Sequence, residues 1–98
     1  MAIGATVHLR CAPGREDELV AQLTRLRSKI RQETGNIYYD VYRSRTEPGA
    51  FLITERYRDR DAVRAHAKAD YVQGMGEQLR QLLEGEMVVQ IYEGVTDD

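Results

Sequence analysis

The feature of this sequence that most constrains its fold is a change in the spacing of its apolar residues. Residues 3–10 alternate between apolar and polar side chains, as a half-buried β-strand does. From about Arg15 the spacing becomes helical, with an apolar stripe made of Leu19, Leu23, Leu26 and Ile30. Gly35 is predicted to cap the end of this helix, with Asn36 in the loop that follows.

The spacing then returns to that of strands. Residues 37–43 and 50–57 are predicted to be two strands, separated by a turn at Glu47-Pro48-Gly49. Asp59 is the predicted N-cap of a second helix, which carries Ala62, Ala65, His66 and Ala69.

A further helical segment is predicted from an apolar stripe that begins at Tyr71 and continues through Met75 and Leu79. Gly74 and Gly76 predict a kink or break between the two helical pieces, because glycine weakens a helix interior. Gly85 is predicted to end the helix, residues 87–93 form the last strand, and residues 94–98 are expected to be a polar tail.

The resulting order, β-α-β-β-α-β, predicts an α+β ferredoxin-like fold: a four-stranded antiparallel sheet with the helices on one face. At 98 residues the chain is expected to be a single domain, residues 1–98.

Composition excludes several classes of protein. The 14 Lys and Arg residues against 16 Asp and Glu argue against a nucleic-acid binder, which would carry a basic excess. No apolar run approaches the ~20 residues that span a bilayer, and the first eight residues lack the pattern of a secretion signal, so we expect a cytoplasmic protein without a membrane partner. A single cysteine, Cys11, argues against a disulfide or a multi-cysteine metal site, and no structural metal is expected.

The alternation in each strand assigns its residues to one of two sheet faces. The apolar set, predicted to lie under the helices, is Ile3, Ala5, Val7, Leu9, Ile37, Tyr39, Val41, Phe51, Ile53, Met87, Val89 and Ile91. The other face mixes tyrosines with small and branched residues: Thr6, His8, Tyr38, Tyr42, Leu52, Thr54, Val88, Gln90 and Tyr92. Such a face resembles a subunit interface, so we expect a homodimer through this open sheet face, the alternative being a solvated surface.

Glu55 is the unusual residue of the helix-facing set. It shares its register with Phe51 and Ile53, so its carboxyl group should point between the layers, where it needs a partner. Glu55 lies roughly 10 Å back along its strand from the turn near Arg58, at ~3.3 Å per residue. His66 lies roughly 9 Å along the returning helix, at ~1.5 Å per residue. A buried Glu55–His66 pair is therefore predicted, with alanines leaving space beside the imidazole.

Two interpretations of this pair stay open. In the functional one, the carboxyl group orients an imidazole that acts as a base beside a cavity. In the structural one, the pair only joins the helix to the sheet. Tyr71 and Met75 fit the core at helical spacing, although beside an alanine-lined gap they could also contact a ligand.

Several segments together resemble the antibiotic biosynthesis monooxygenase family of the dimeric α+β barrel group. These are the helix entry at residues 13–19, the segment at residues 35–42, and Pro48-Gly49 before Phe51. The most specific is Glu55-Arg56-Tyr57 followed by Asp59, Ala62 and His66, which looks like the family's run of Glu-x-aromatic, Asp, Ala and His.

The resemblance implies a homodimer whose two sheets close a barrel, with a small-molecule pocket between sheet and helices in each subunit. It further implies oxidation of a small electron-rich aromatic, a quinol or phenol, by O2 with no metal, flavin or haem as cofactor. On this basis His66 is the expected base and Glu55 its orienting group. Asn36, Tyr71 and Met75 are the expected substrate-binding residues.

The sequence departs from some relatives. It has no Trp, and its first strand offers Thr6 and His8 where haem-degrading relatives use an asparagine, which argues against haem degradation. Some relatives isomerise phosphorylated sugar-like signals, so an isomerase is one alternative; its basic residues would be Arg43, Arg56, Lys68 and Arg80. A ligand-binding or dimerisation module without catalysis is the other.

Overall fold

The computed structural model describes residues 1–96, so the last two residues of the expected polar tail lie outside the described part. The elements follow the order β1-α1-β2-β3-α2-α3-β4. The strands are β1 (Ile3–Arg10), β2 (Asn36–Arg43), β3 (Ala50–Tyr57) and β4 (Val88–Glu93). The helices are α1 (Glu16–Ile30), α2 (Arg60–Lys68) and α3 (Asp70–Arg80). The sheet is antiparallel with strand order β2-β3-β1-β4, which confirms the ferredoxin-like α+β prediction.

The core lies between α1 and the sheet. All four residues of the predicted apolar stripe of α1 are buried, and they pack against Val7, Leu9, Tyr39, Phe51 and Ile53. Three acidic residues occupy the first turn of α1, where the helix dipole favours negative charge. None of the helices in residues 1–96 combines the length and the apolar character needed to cross a bilayer.

The predicted end of the first helix was wrong. α1 stops at Ile30, and Gly35 is separated from it by a short turn. Gly35 has no positive φ, unlike Gly14, Gly49 and Gly85. Glycine is needed at position 35 because there is no room for a side chain: a Cβ atom there would lie 2.3 Å from the Cβ atom of Ala62 on α2.

The helical break also lies elsewhere than predicted. α3 runs without interruption through Gly74 and Gly76, and the chain breaks at Ala69, whose ψ of 128° is extended. Gly85 does not end the helix either, since α3 stops at Arg80. The predicted N-cap is confirmed: the Oδ1 atom of Asp59 accepts a hydrogen bond of 2.9 Å from the amide of Ala62.

A β-bulge changes which residues of β2 face the helices. Asn36 pairs with Tyr57 and Tyr38 pairs with Arg56, which leaves Ile37 as the extra residue. Ile37 is therefore exposed rather than buried under the helices as predicted. Asn36, expected in the loop, is the first residue of the strand and is buried on the helix side.

Strand β4 is exposed on both of its faces, which the alternation did not predict. Val89 pairs with Val7 and Ile91 pairs with Ala5, so both side chains point to the helix side of the sheet. They are nevertheless 56% and 60% exposed. The reason is that β4 is an edge strand, while the helices pack over β2 and β3.

Candidate active site

The candidate site is built around Glu55 in the middle of the sheet. The alternation of β3 turns this side chain toward the helices, and Glu55 is only 8% exposed. The hydroxyl group of Tyr57, two residues along the same face, donates a hydrogen bond of 2.7 Å to the Oε1 atom of Glu55. Burial raises the pKa of Glu55 above its usual range, while the hydrogen bond from Tyr57 and the nearby His66 oppose that rise.

A row of paired residues crosses the sheet through Glu55. Tyr39 on β2 lies on one side of it and Ala5 on β1 lies on the other, with Ile91 on β4 beyond Ala5. Ala5 places only a small side chain beside the carboxyl group of Glu55, and Ile91 beyond it is 60% exposed.

His66 approaches this carboxyl group from α2. Its Nε2 atom lies 3.8 Å from the Oε1 atom of Glu55, so the predicted proximity of the two side chains is confirmed. That distance is too long for a hydrogen bond. The imidazole also contacts the ring of Tyr57, with 4.9 Å between the ring centroids, and its side chain is only 16% exposed.

The hydrogen-bond partner of His66 is Glu33, a residue that the sequence analysis missed. The Nδ1 atom of His66 lies 3.0 Å from Oε2 and 3.1 Å from Oε1 of Glu33. The hydroxyl group of Tyr71 on α3 donates a second hydrogen bond to Oε2 of Glu33. Glu33 lies in the turn between α1, which ends at Ile30, and β2.

Three tyrosines lie near the acidic groups, and two of them, Tyr57 and Tyr71, donate hydrogen bonds to Glu55 and Glu33. Burial raises the pKa of Tyr39, Tyr57 and Tyr71 well above the usual range. The negative charge of Glu55 adds to this rise for Tyr39 and Tyr57, and that of Glu33 does so for Tyr71. All three side chains therefore keep their protons at neutral pH.

The other predicted site residues are placed as follows. The amide group of Asn36 accepts a hydrogen bond of 2.7 Å from Arg31 and donates one of 3.0 Å to the carbonyl oxygen of Tyr38, so it holds the bulge of β2. Met75 is half-buried against the core. Tyr71 joins the network through Glu33 rather than through His66.

A cavity of about 320 Å³ lies beside Glu33. It is lined by Glu33, Thr34, Gly35, Arg58, Asp61, Ala62, Ala65 and Ala69. Ala62, Ala65 and Ala69 are the alanines expected to leave space near the imidazole of His66. Since they line this cavity together with Glu33, the space lies on the side of the imidazole that faces Glu33.

The arrangement suits the movement of a proton. An imidazole that is mostly removed from water has a carboxyl group near each of its two nitrogen atoms. Among residues 1–96, no group of three His, Cys, Asp or Glu side chains is placed to hold a metal ion.

The chain shares both family and fold with known proteins. The family profile described as "Antibiotic biosynthesis monooxygenase" matches residues 2–78. The chain is 25% identical over 76 residues to "Putative monooxygenase YcnE" of Bacillus subtilis (strain 168), which covers 78% of this chain and 80% of that protein. A solved structure described as a putative antibiotic biosynthesis monooxygenase from Caulobacter crescentus CB15 matches with a TM-score of 0.92 and 27% identity, covering 97% of this chain and 91% of that one.

A third comparison concerns the fold alone. The structure of SnoaB, described as a cofactor-independent oxygenase from Streptomyces nogalater, matches with a TM-score of 0.88 at 14% identity, covering 98% of this chain and 95% of that one. The family profile covers most of the chain and includes Glu33, Glu55 and His66. This protein therefore belongs to the antibiotic biosynthesis monooxygenase family.

Proposed function

We propose that this protein is a cofactor-independent monooxygenase that oxidises a small electron-rich aromatic, a quinol or phenol, with O2. Membership of the family supports oxygenase chemistry. The single observation that carries the proposal is the imidazole of His66, which is mostly buried and has a carboxyl group near each nitrogen atom. A histidine in such surroundings can act as a base in a site from which water is largely excluded.

The first step assigned to this site is removal of a proton from the aromatic hydroxyl group by His66. The positive charge that then forms on the ring is attracted by Glu55, whose carboxyl group lies 3.8 Å from Nε2. Tyr39 keeps its proton, so its hydroxyl group can donate a hydrogen bond without competing for the substrate's proton, while the hydroxyl group of Tyr57 stays donated to Glu55. The product of this step is an electron-rich aromatic anion held away from water.

The second step is reaction of this anion with O2. The anion passes one electron to O2, and the two radicals combine to form a C–O bond and a peroxide. The peroxide takes up the proton that His66 had removed from the substrate. Loss of the proton from the attacked ring carbon then breaks the O–O bond, so that one oxygen atom stays on the ring as a carbonyl group and the other leaves with these two protons as water. For a phenol with a free para position, the sum is phenol plus O2 giving para-quinone plus water. O2 accepts four electrons in total, all of them from the substrate.

The proposed place for the aromatic ring is over the small side chain of Ala5, between Glu55 and the exposed helix side of β4. Ala5 pairs with Glu55 on one side and with Ile91 on the other. Val89 and Ile91 would supply apolar contacts there, since both are more than half exposed. Met75 and Tyr71 remain proposed substrate contacts from the helix side, and Asn36 remains one from the start of β2.

We further propose that the protein acts in the cytoplasm as a homodimer formed through the open sheet face. On that face Tyr42, Val88 and Tyr92 are all more than half exposed. A partner covering these side chains would bury apolar surface that this small domain leaves in water.

The proposal is tested by oxygen consumption. Metal-stripped protein is mixed with a panel of hydroquinones and phenols in an oxygen-electrode cell, and turnover should consume one O2 per substrate. His66→Gln should fold normally and lower kcat by ~10²–10⁴-fold, the usual contribution of a general base. Lys68→Gln, at an exposed position on the same helix, is the matched control and should retain full activity.

Two results would contradict this function. One is full oxygen consumption by His66→Gln. The other is no consumption with any substrate, together with a loss of several kcal/mol of unfolding free energy in His66→Ala. The second result would assign His66 a purely structural role and favour a ligand-binding or dimerisation module.

A further inference from the structure

We infer that Glu33 is the positioning residue of the site: it holds the ring proton of His66 on Nδ1 and so leaves Nε2 as the basic atom. This inference rests on the proposed function for its catalytic meaning. It differs from the sequence-based hypothesis, in which Glu55 orients the imidazole.

The distances favour Glu33 over Glu55 as the orienting group. Both oxygen atoms of Glu33 lie within 3.1 Å of Nδ1, which is hydrogen-bond distance. The nearest oxygen atom of Glu55 lies 3.8 Å from Nε2. An ionised carboxylate can only accept, so the hydrogen bond to Glu33 requires the proton to be on Nδ1. Which ring nitrogen carries the proton is set by the hydrogen bond that nitrogen makes.

Glu33 is itself held in place. The hydroxyl group of Tyr71 donates to Oε2 of Glu33, and the high pKa of Tyr71 keeps that hydroxyl group protonated. The side chain of Glu33 is only 19% exposed, and that of His66 is 16% exposed. The hydrogen bond between Glu33 and His66 is therefore weakened little by water.

The remaining groups around the ring do not compete for Nδ1. Glu55 and Tyr57 approach from β3, where the hydroxyl group of Tyr57 is already donated to Glu55. Tyr39 on β2 belongs to the surroundings of Glu55. The Nζ atom of Lys29 on α1 lies over the ring of Tyr71, 6.0 Å from its centroid.

The consequence for the reaction is geometric. The Nδ1 atom of His66 is hydrogen-bonded to Glu33 in the turn after α1, so the imidazole cannot rotate without breaking that hydrogen bond. The Nε2 atom therefore stays directed toward Glu55, between the helices and the sheet. Loss of Glu33 should therefore impair the chemical step more than substrate binding. In a comparable arrangement, the wrong ring tautomer costs up to ~10⁴-fold in kcat.

The test is the tautomer of His66 in the substrate-free protein, observed by ¹⁵N–¹H correlation NMR of the imidazole nitrogens. The chain has only two histidines, and His66→Gln assigns the signals. His8, exposed on the other sheet face, serves as the internal reference. At a pH where the ring is neutral, the wild-type spectrum should show the proton on Nδ1. A proton on Nε2 would overturn the inference, with no variant needed.

Variants then separate Glu33 from its neighbours. Glu33→Ala should shift the neutral ring toward the Nε2–H form, whereas Glu33→Gln retains an acceptor oxygen and should keep the proton on Nδ1. Glu77→Gln, at an exposed acid on α3, is the control and should change nothing. An unchanged tautomer in Glu33→Ala would also overturn the inference.

Kinetics give the second readout. With a substrate found by oxygen consumption, Glu33→Ala should lower kcat by at least ~10-fold and leave KM within about twofold, with partial recovery in Glu33→Gln. An unchanged kcat would contradict the positioning role. If no substrate is consumed, the tautomer result still decides the role of Glu33 in holding the ring, so the two failures are distinguishable.

Discussion

At the scale of single residues, the buried carboxyl group of Glu55 links the stability of the fold to pH. Its pKa is raised in the folded chain, mainly by burial. Between the pKa of the unfolded chain and this raised value, the folded state binds more protons than the unfolded state. The free energy of unfolding therefore falls as pH rises through that interval, by about 1.4 kcal/mol for each unit that separates the two pKa values.

Glu55→Gln should remove this dependence while keeping an oxygen atom that can accept from Tyr57. We expect the variant to gain stability relative to wild type as pH rises from about 4 through the raised pKa of Glu55. Urea unfolding at a series of pH values from 4 to 8 measures the difference, with Glu86→Gln at an exposed position before β4 as control. A difference in unfolding free energy that stays constant with pH would contradict the assigned pKa direction.

The sequence predicted one half of the site but not the other. Glu55 could be placed because strand alternation is strict and its neighbours Phe51 and Ile53 are apolar. Glu33 could not, because its position depends on where α1 ends, and helix ends are set by packing as well as by local residues. A carboxylate near a loop is ordinarily solvated, so nothing in the residue itself indicated an inward role.

At the scale of elements, the placement of α2 depends on a close approach between Gly35 and Ala62. The amide of Arg58 donates a hydrogen bond of 2.8 Å to the carbonyl oxygen of Gly35, which brings the start of α2 beside the turn that carries Glu33. A Cβ atom on Gly35 would meet the Cβ atom of Ala62 at 2.3 Å. This contact sets how near α2, and thus His66, can lie to Glu33.

Gly35→Ala should therefore lower the free energy of unfolding by about 1–3 kcal/mol through overpacking. The second variant, Ala62→Gly, should cost about 1 kcal/mol alone because glycine weakens a helix. Combined with Gly35→Ala it should recover part of the loss, and a double-mutant cycle from denaturant unfolding gives the coupling. Strict additivity of the two changes would show that the contact does not limit the approach of α2.

The errors in predicting where helices end or break have a common cause. Glycine was taken as the signal for helix ends and breaks, but Gly35 serves a contact, and Gly74 and Gly76 are accommodated within α3. The predictions that the structure confirms are those with a direct local cause, namely the leucine stripe of α1 and the N-cap formed by the side chain of Asp59. The bulge at Ile37 and the bare helix side of β4 depend on tertiary packing, which a single strand's alternation does not encode.

At the scale of the whole molecule, apolar surface remains exposed on the sheet face away from the helices. The proposed homodimer would cover this face. Tyr42→Asp or Leu52→Asp should place an unpaired charge in the interface and dissociate the dimer, as measured by light scattering coupled to size exclusion. Ser28→Asp, on the exposed side of α1, is the control and should stay dimeric. A wild-type monomer at micromolar concentration would contradict the proposed assembly.

The most direct test of the proposed monooxygenase reaction is the fate of the two oxygen atoms of O2. Metal-free wild-type protein is allowed to turn over a phenol or hydroquinone under ¹⁸O2, and the product is examined by mass spectrometry before its carbonyl groups exchange with water. The proposed monooxygenase reaction places one ¹⁸O atom in each product molecule and the other in water, and His66→Gln should form the labelled product at least ~10²-fold more slowly. Product that carries no ¹⁸O, or labelled product formed equally fast by His66→Gln, would contradict it.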